Sequence, residues 1–336
     1  MDTSFGIQQK GKRNLITDVA GITVGHCTLA DGDVQTGVTA LLPHQGDLFH
    51  DRCPAAVHVI NGFGKSAGLV QVQELGYLET PLILTNTLSV GTAFTACVRY
   101  MLARNDQIGR AESTVNPVIL ECNDGYLNDI RGLHVTEDHV FAALDAADTA
   151  IALGAVGAGR GMSCYHLKGG IGSASRVFEI GGQTYTLGAL AMTNFGSLID
   201  LTIAGERIGK KLAAEPEDAK GSCIMILATD APLSSRQLSR LSQRRSVPAH
   251  LPRRDRGGGG EYHPLHAGGR DRHRPRRPHP PVAARCDGKS RSAPVIAPSA
   301  KALPLHLQRE RFDLPEAQNS RTISCETSTT AISAMG

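Results

Sequence analysis

The sequence predicts an α/β layered domain whose strands pair largely antiparallel. Three observations support this. Residues 223–228 form a continuous apolar run, the pattern of a strand covered on both faces. Residues 176–187 read as two strands joined at Gly181-Gly182, a strong local hairpin signal. Helical spacing is confined to a few segments, the clearest being Ala93, Phe94, Cys97, Val98, Met101 and Leu102 on one face. Many strands mixed with few helices make a layered α/β domain.

In chain order, residues up to about 12 read as a loose tail. Residues 15–24 predict a hairpin turning near Ala20-Gly21, and 37–43 and 55–60 are strands. Gly62-Phe63-Gly64-Lys65-Ser66 invites a phosphate-loop reading, but that loop needs a glycine where Val59 stands. It reads instead as a turn into a helix carrying Leu69, Val70 and Leu75. Residues 81–85 are a short buried strand, and Ser89 or Thr92 is available to cap the helix that follows. Residues 115–122 form a strand that delivers Asn123-Asp124-Gly125-Tyr126. A second helix begins near Thr136, with Glu137 and Asp138 suiting its dipole and Val140, Phe141 and Leu144 facing the core. Gly157-Ala158-Gly159-Arg160-Gly161 lacks the third glycine of a dinucleotide signature, and strand-like text (162–166) follows where a helix is required. The second hairpin strand continues to Asn194. After the 223–228 strand, Ser234 or Ser235 caps a helix through Leu238 and Leu241.

Composition narrows the function classes. The chain has 336 residues, enough for one large core, and a net charge of +3 that gives no reason to invoke nucleic acid. Tryptophan is absent and aromatics are 4%, which argues against a base-stacking surface. Eight cysteines occur without a CxxC pair and read mostly as small buried hydrophobes in a reducing compartment. The N-terminus lacks the apolar core of a secretory signal and no apolar run reaches membrane-spanning length, so the expectation is a soluble cytoplasmic protein. His26, His58 and His166 have no metal-like spacing and read as structural, so no metal and no cofactor are expected.

The chemistry centres on Gly221-Ser222. An exposed, polar loop at 214–220 leads through this pair into the core strand. Cleavage there leaves Ser222 with a free α-amine beside its own hydroxyl. The amine, of reference pKa about 8, then serves as general base and the hydroxyl as nucleophile. By local pattern alone most such pairs are turns. Asp230 lies eight residues along the strand, roughly 26 Å away at strand rise, and reads as a turn residue before Pro232.

Blocks spread along the chain change that balance. They are Asn14-Leu15-Ile16-Thr17-Asp18-Val19-Ala20-Gly21-Ile22-Thr23-Val24-Gly25-His26, Asn61-Gly62-Phe63-Gly64-Lys65-Ser66-Ala67-Gly68-Leu69, Thr85-Asn86-Thr87 and Glu121-Cys122-Asn123-Asp124-Gly125-Tyr126-Leu127-Asn128-Asp129. Lys168-Gly169-Gly170-Ile171-Gly172-Ser173-Ala174-Ser175-Arg176, Asn194-Phe195-Gly196 and Gly221-Ser222 with Ala228-Thr229-Asp230-Ala231-Pro232-Leu233 complete the set. In this order, over 14–244, they resemble the DmpA-like L-aminopeptidase/D-amidase-esterases, which include the β-peptidyl aminopeptidases. The resemblance implies an αββα layered sandwich of the kind shared with the ornithine acetyltransferases, cleavage between Gly221 and Ser222, and release of N-terminal residues from small peptides, amides or esters. It implies Ser222 as nucleophile, Asn194 as oxyanion donor and Tyr126 as a phenolic donor, in a homo-oligomer with no membrane partner. Ser222 and the block pattern argue against the acetyltransferases themselves, which use threonine.

The resemblance runs over 14–244 of an aminopeptidase domain, 1–244, that is incomplete at its C-terminal end, and it stops inside a helix. The predicted helix needs apolar residues where Ser242 and Arg245 stand, and Pro248 ends it. Residues 245–336 are rich in Arg, Pro, Gly and His and predict a disordered tail. Family members carry a Gly-Ser-Gly-acid motif and a final strand here, and the motif's serine and acid belong to the active-site constellation. Gly257-Gly258-Gly259-Gly260-Glu261 is the nearest text and lacks the serine, so a catalytically impaired relative is the alternative, with a sheet edge left unpaired. A shifted reading frame of GC-rich DNA accounts for the vocabulary of the tail, and the gene sequence tests it. The competing reading is a basic arm for nucleic acid or an acidic surface.

Overall fold

The computed structural model describes residues 8–203, 205–212, 221–245 and 329–335. In chain order the strands and helices are β1 (Thr23–Asp31), β2 (Val34–Leu42), β3 (Cys53–Asn61), α1 (Leu69–Leu75), β4 (Tyr77–Leu78), β5 (Leu82–Asn86), α2 (Val90–Leu102), β6 (Val118–Cys122) and α3 (Glu137–Asp145). There follow β7 (Ser163–Cys164), β8 (Leu167–Lys168), β9 (Gly170–Ile180), β10 (Gln183–Phe195), α4 (Ile208–Leu212), β11 (Gly221–Thr229), α5 (Ser235–Arg245) and β12 (Thr329–Met335). The strands make a four-stranded sheet, β1-β2-β5-β6, a six-stranded sheet, β4-β3-β12-β11-β10-β9, and the β7-β8 hairpin. Pairing is antiparallel except for β5 with β6 and β12 with β3.

Side-chain alternation builds four layers from these strands. Leu82 and Leu84, Val118 and Leu120, Leu190 and Met192, and Ile224 and Ile226 meet in the core between the sheets. Ile83, Ile119, Val38 and Ala40 point the other way and pack with Ala93, Cys97, Val140 and Leu144 of α2 and α3. Leu227 and Ala56 leave the second sheet on its far face and bury Leu238 of α5. Both faces of the central strands are therefore apolar, which is why they read as continuous runs. The order helix, sheet, sheet, helix is the αββα sandwich that the family resemblance implies.

The chain departs from expectation in three places. Residues 15–24 are not a hairpin. Asp18 accepts hydrogen bonds from the Arg13 and Leu15 amides and Ile16 donates to Ser173 Oγ, which fix a short 3-10 turn at Ile16–Asp18 ahead of β1. The hairpin there is β1-β2, turned at Gly32 in the left-handed region. The 162–166 strand is only two residues long before Tyr165 and His166, both at positive φ, reverse the chain into β8. The third departure is β12. It lies between β3 and β11, paired from Cys223↔Met335 to Thr229↔Thr329 on one side, so neither neighbour is left with an open edge. Three β-branched residues in a run of seven (Thr329, Thr330, Ile332) supply a strand that the composition of the preceding tail obscures. The expected exposed loop at 214–220, the last residue and the rest of the tail, including Gly257–Glu261, lie outside the described residues.

Candidate active site

Two strands of one sheet bring Ser222 and Asn194 together. The β10-β11 register sets Asn194 directly opposite Ser222, and Phe195 opposite Gly221. Ser222 shares the parity of Ile224 and Ile226, and Asn194 that of Met192 and Leu190, so both side chains point between the sheets. They stand where the apolar core ends and polar loops close it. Ser222 is 7% exposed.

Asn194 Nδ2 donates to Ser222 Oγ at 3.1 Å and to the Asn123 carbonyl at 2.8 Å. Its Oδ1 accepts the Ser163 amide at 3.0 Å. An N–H on one end and a carbonyl on the other fix which way the side-chain amide faces: the NH₂ group must face Ser222. Asn123 comes from the opposite sheet, just past β6. Its loop is held by Asp124, a fully buried carboxylate that accepts from Thr36 Oγ1 at 2.6 Å and Asn128 Nδ2 at 3.1 Å. Asn86 Nδ2 donates in turn to Thr36 Oγ1. Desolvation raises the Asp124 pKa against these hydrogen bonds, which lower it.

The Ser222 hydroxyl lies close enough to Cys122 to lower its thiol pKa against the larger effect of burial. Burial pushes the Cys122 thiol well above its ordinary range, and burial with nearby Cys164 pushes Cys223 up to about 12. Both are protonated thiols at neutral pH and poor nucleophiles. Among the described residues, the side chain hydrogen-bonded to the Ser222 hydroxyl is Asn194, and neither it nor the neighbouring Cys122 thiol is a general base.

Of the residues singled out in the sequence, the fold brings Ser222 and Asn194 together. Tyr126 does not join them: it is 76% exposed on the loop after β6 and makes no hydrogen bond among the described residues. Its loop turns at Asp124, whose carbonyl accepts the Leu127 and Asn128 amides, and this carries the ring outward. Asp230 sits at the far end of β11, where its carboxylate accepts the Thr186 amide at 2.7 Å, a structural role. His26 bonds Thr39 Oγ1 at 2.9 Å, and burial lowers its pKa. The sequence reading assigned no role to Cys122, Asn123, Asp124 or Lys168. All four lie in quoted blocks, but their contacts depend on the meeting of two sheets.

At Gly221 a side chain has no room. A Cβ there would fall 2.3 Å from the Asn194 carbonyl oxygen and 2.4 Å from Phe195 Cα. The residue that supplies the carbonyl next to Ser222 is glycine because β10 passes directly against it.

Residues 14–250 match the model of peptidase family S58. The β-peptidyl aminopeptidase BapA of Sphingosinicella microcystinivorans is 38% identical over 261 residues, covering 70% of this chain. This chain spans only 65% of that relative's length. A crystal structure of a Pyrococcus horikoshii protein superposes with a TM-score of 0.70 at 52% identity, covering 72% of this chain and 70% of its own. The L-aminopeptidase D-Ala-esterase/amidase of Ochrobactrum anthropi, described as a serine aminopeptidase with a variant of the Ntn hydrolase fold, superposes with a TM-score of 0.66 at 38% identity over 72% of this chain and 70% of its own. With its layers, its Gly221-Ser222 strand entrance and its Asn194–Ser222 pair, the chain belongs to peptidase family S58.

Proposed function

We propose that the chain is a self-processing N-terminal-serine hydrolase that releases N-terminal residues from small peptides, amides or esters. The observation that carries this reading is the Asn194 amide aimed at the hydroxyl of a serine that opens a core strand immediately after a glycine. In the first reaction Ser222 Oγ attacks the Gly221 carbonyl carbon. The C–N bond breaks, the former amide nitrogen takes a proton as the Ser222 α-amine, and water hydrolyses the resulting ester. The new amine lies on the same residue as the hydroxyl and takes its proton in later turnovers. Asn194 Nδ2 supplies a donor for the oxyanion in both stages.

The same geometry bears on substrate. In the self-reaction the acyl carbon belongs to Gly221, where an L side chain collides with Asn194 and Phe195. A substrate seated there is expected to carry an unsubstituted α-carbon, as glycyl and β-aminoacyl groups do. This agrees with the name of the Sphingosinicella relative. Replacing Ser222 with alanine is the test: the wild type should yield fragments 1–221 and 222–336 and hydrolyse glycyl or β-alanyl amides, while Ser222→Ala stays whole and inert. Equal behaviour of the two proteins would end the proposal. A cytoplasmic location, supported by the free cysteines among the described residues, and a homo-oligomeric state, supported by family resemblance, are part of the proposal.

A second reading, a catalytically impaired relative, is favoured by one observation: the family match stops at residue 250, before the expected Gly-Ser-Gly-acid motif. That reading predicts processing and turnover at least several hundredfold below those of a chain carrying the motif, since such groups act as a unit.

A further inference from the structure

Lys168 closes β8 one residue before the Gly169-Gly170 pair, and its ammonium faces the protein backbone. Nζ donates to the carbonyls of Met162 at 2.7 Å, Gly169 at 2.7 Å and Gly159 at 3.2 Å, which occupies all three of its protons. The Met162 carbonyl also accepts the Gly169 amide at 2.9 Å. That carbonyl belongs to the same peptide unit as the Ser163 N–H, which donates to Asn194 Oδ1 at 3.0 Å. Asn194 Nδ2 in turn donates to Ser222 Oγ at 3.1 Å. An unbroken line of polar groups thus runs from a cation, through one peptide and one side-chain amide, to the nucleophile.

Each link in this line pulls electron density toward the cation. An ammonium on the Met162 oxygen makes the Ser163 N–H a stronger donor, and a stronger donor on Asn194 Oδ1 makes its NH₂ a stronger donor at the other end. The line also fixes direction. Were the Met162–Ser163 peptide to turn, Asn194 Oδ1 would lose its donor and the side-chain amide would be free to flip. We infer that Lys168 is a positioning residue for the Ser222 reaction, aiming and polarising the Asn194 amide through the Met162–Ser163 peptide. The inference rests on the hydrolase reading above and adds to it a residue that touches neither the nucleophile nor the scissile bond.

The test is a double-mutant cycle on the full chain with Lys168→Met, Asn194→Ala and their combination, read by the rate of appearance of the 222–336 fragment and by steady-state hydrolysis of β-alanine p-nitroanilide. Lys168→Met is expected to lower kcat about tenfold or more with KM within about twofold. In the Asn194→Ala background the same change is expected to cost less than about threefold, because its route to Ser222 is already cut. Should Lys168→Met fail to fold, Lys168→Gln, which keeps two neutral donors for the carbonyls, carries the same comparison. Wild-type rates in the lysine variant, or losses that multiply in the double variant, would overturn the inference while leaving the hydrolase reading intact. A wild type that neither cleaves nor turns over would overturn the hydrolase reading itself.

Discussion

At the scale of single residues, the site is a cross-strand pair held from behind. Asn194→Ala removes the donor aimed at Ser222 and is expected to cut both processing and kcat by about 10²–10³, the usual loss for one oxyanion donor. An unchanged rate would remove Asn194 from the mechanism. Gly221→Ala tests the space rather than the chemistry. With a Cβ only 2.3 Å from the Asn194 carbonyl oxygen, β10 and β11 must part at the point where Ser222 meets its donor. Self-cleavage is expected to slow by more than about tenfold while far-UV circular dichroism stays unchanged, and normal processing would show that the strands do not need this contact. Ser222 was legible in the sequence as the serine of a Gly-Ser pair at the entrance of an apolar strand, and Asn194 only through the family resemblance of the Asn194-Phe195-Gly196 block. Lys168 and Asp124 were not, since their partners are carbonyls and side chains brought up from other strands, which neither periodicity nor spacing encodes.

At the scale of elements, β12 carries the sharpest expectation. It pairs with β11 over seven residues and with β3 on its other side, so removing Thr329–Met335 opens two inner edges of the six-stranded sheet. Deletion is expected to lower Tm by more than about 10 °C or to give insoluble protein. A deletion variant that melts with the full chain would show that the strand adds nothing to the fold. The segment was hidden in the sequence by the arginine- and proline-rich text before it, although its own β-branched residues suit a strand. By contrast β5, β6 and β11 were legible, because burial on both faces leaves a run of apolar residues that nothing else explains.

A second element-scale contact joins two exposed loops. His50 Nδ1 lies 2.7 Å from Asp47 and Nε2 lies 2.9 Å from Glu112. Hydrogen bonds to Asp47 and then to Glu112 raise the His50 pKa to about 9. The unfolded chain titrates near 6.5, so the stabilisation is complete below about pH 6.5 and is lost as pH rises through about 9. His50→Gln is therefore expected to lower Tm at pH 6 and to have little effect at pH 10. An imidazole NMR titration with a midpoint near 6.5 in the folded protein would contradict the bridge.

At the scale of the whole described fold, two sheets and two outer helix layers enclose an apolar core between the sheets and a further one under each helix layer, and leave a polar rim where Ser222, Asn194 and the Asn123 loop meet. The layer order was legible from strand and helix patterning together with family resemblance. The position of the site was legible only as a place in the chain. The relation of β6 to β10, which makes it a site, is a property of the assembled sandwich. In the proposed mechanism this assembly activates Ser222 against its own peptide bond. Intact mass of freshly purified full-length protein tests it most directly. Two fragments divided between Gly221 and Ser222, absent from Ser222→Ala, are the predicted result. A single chain unchanged after long incubation, or a cut at any other bond, would contradict it.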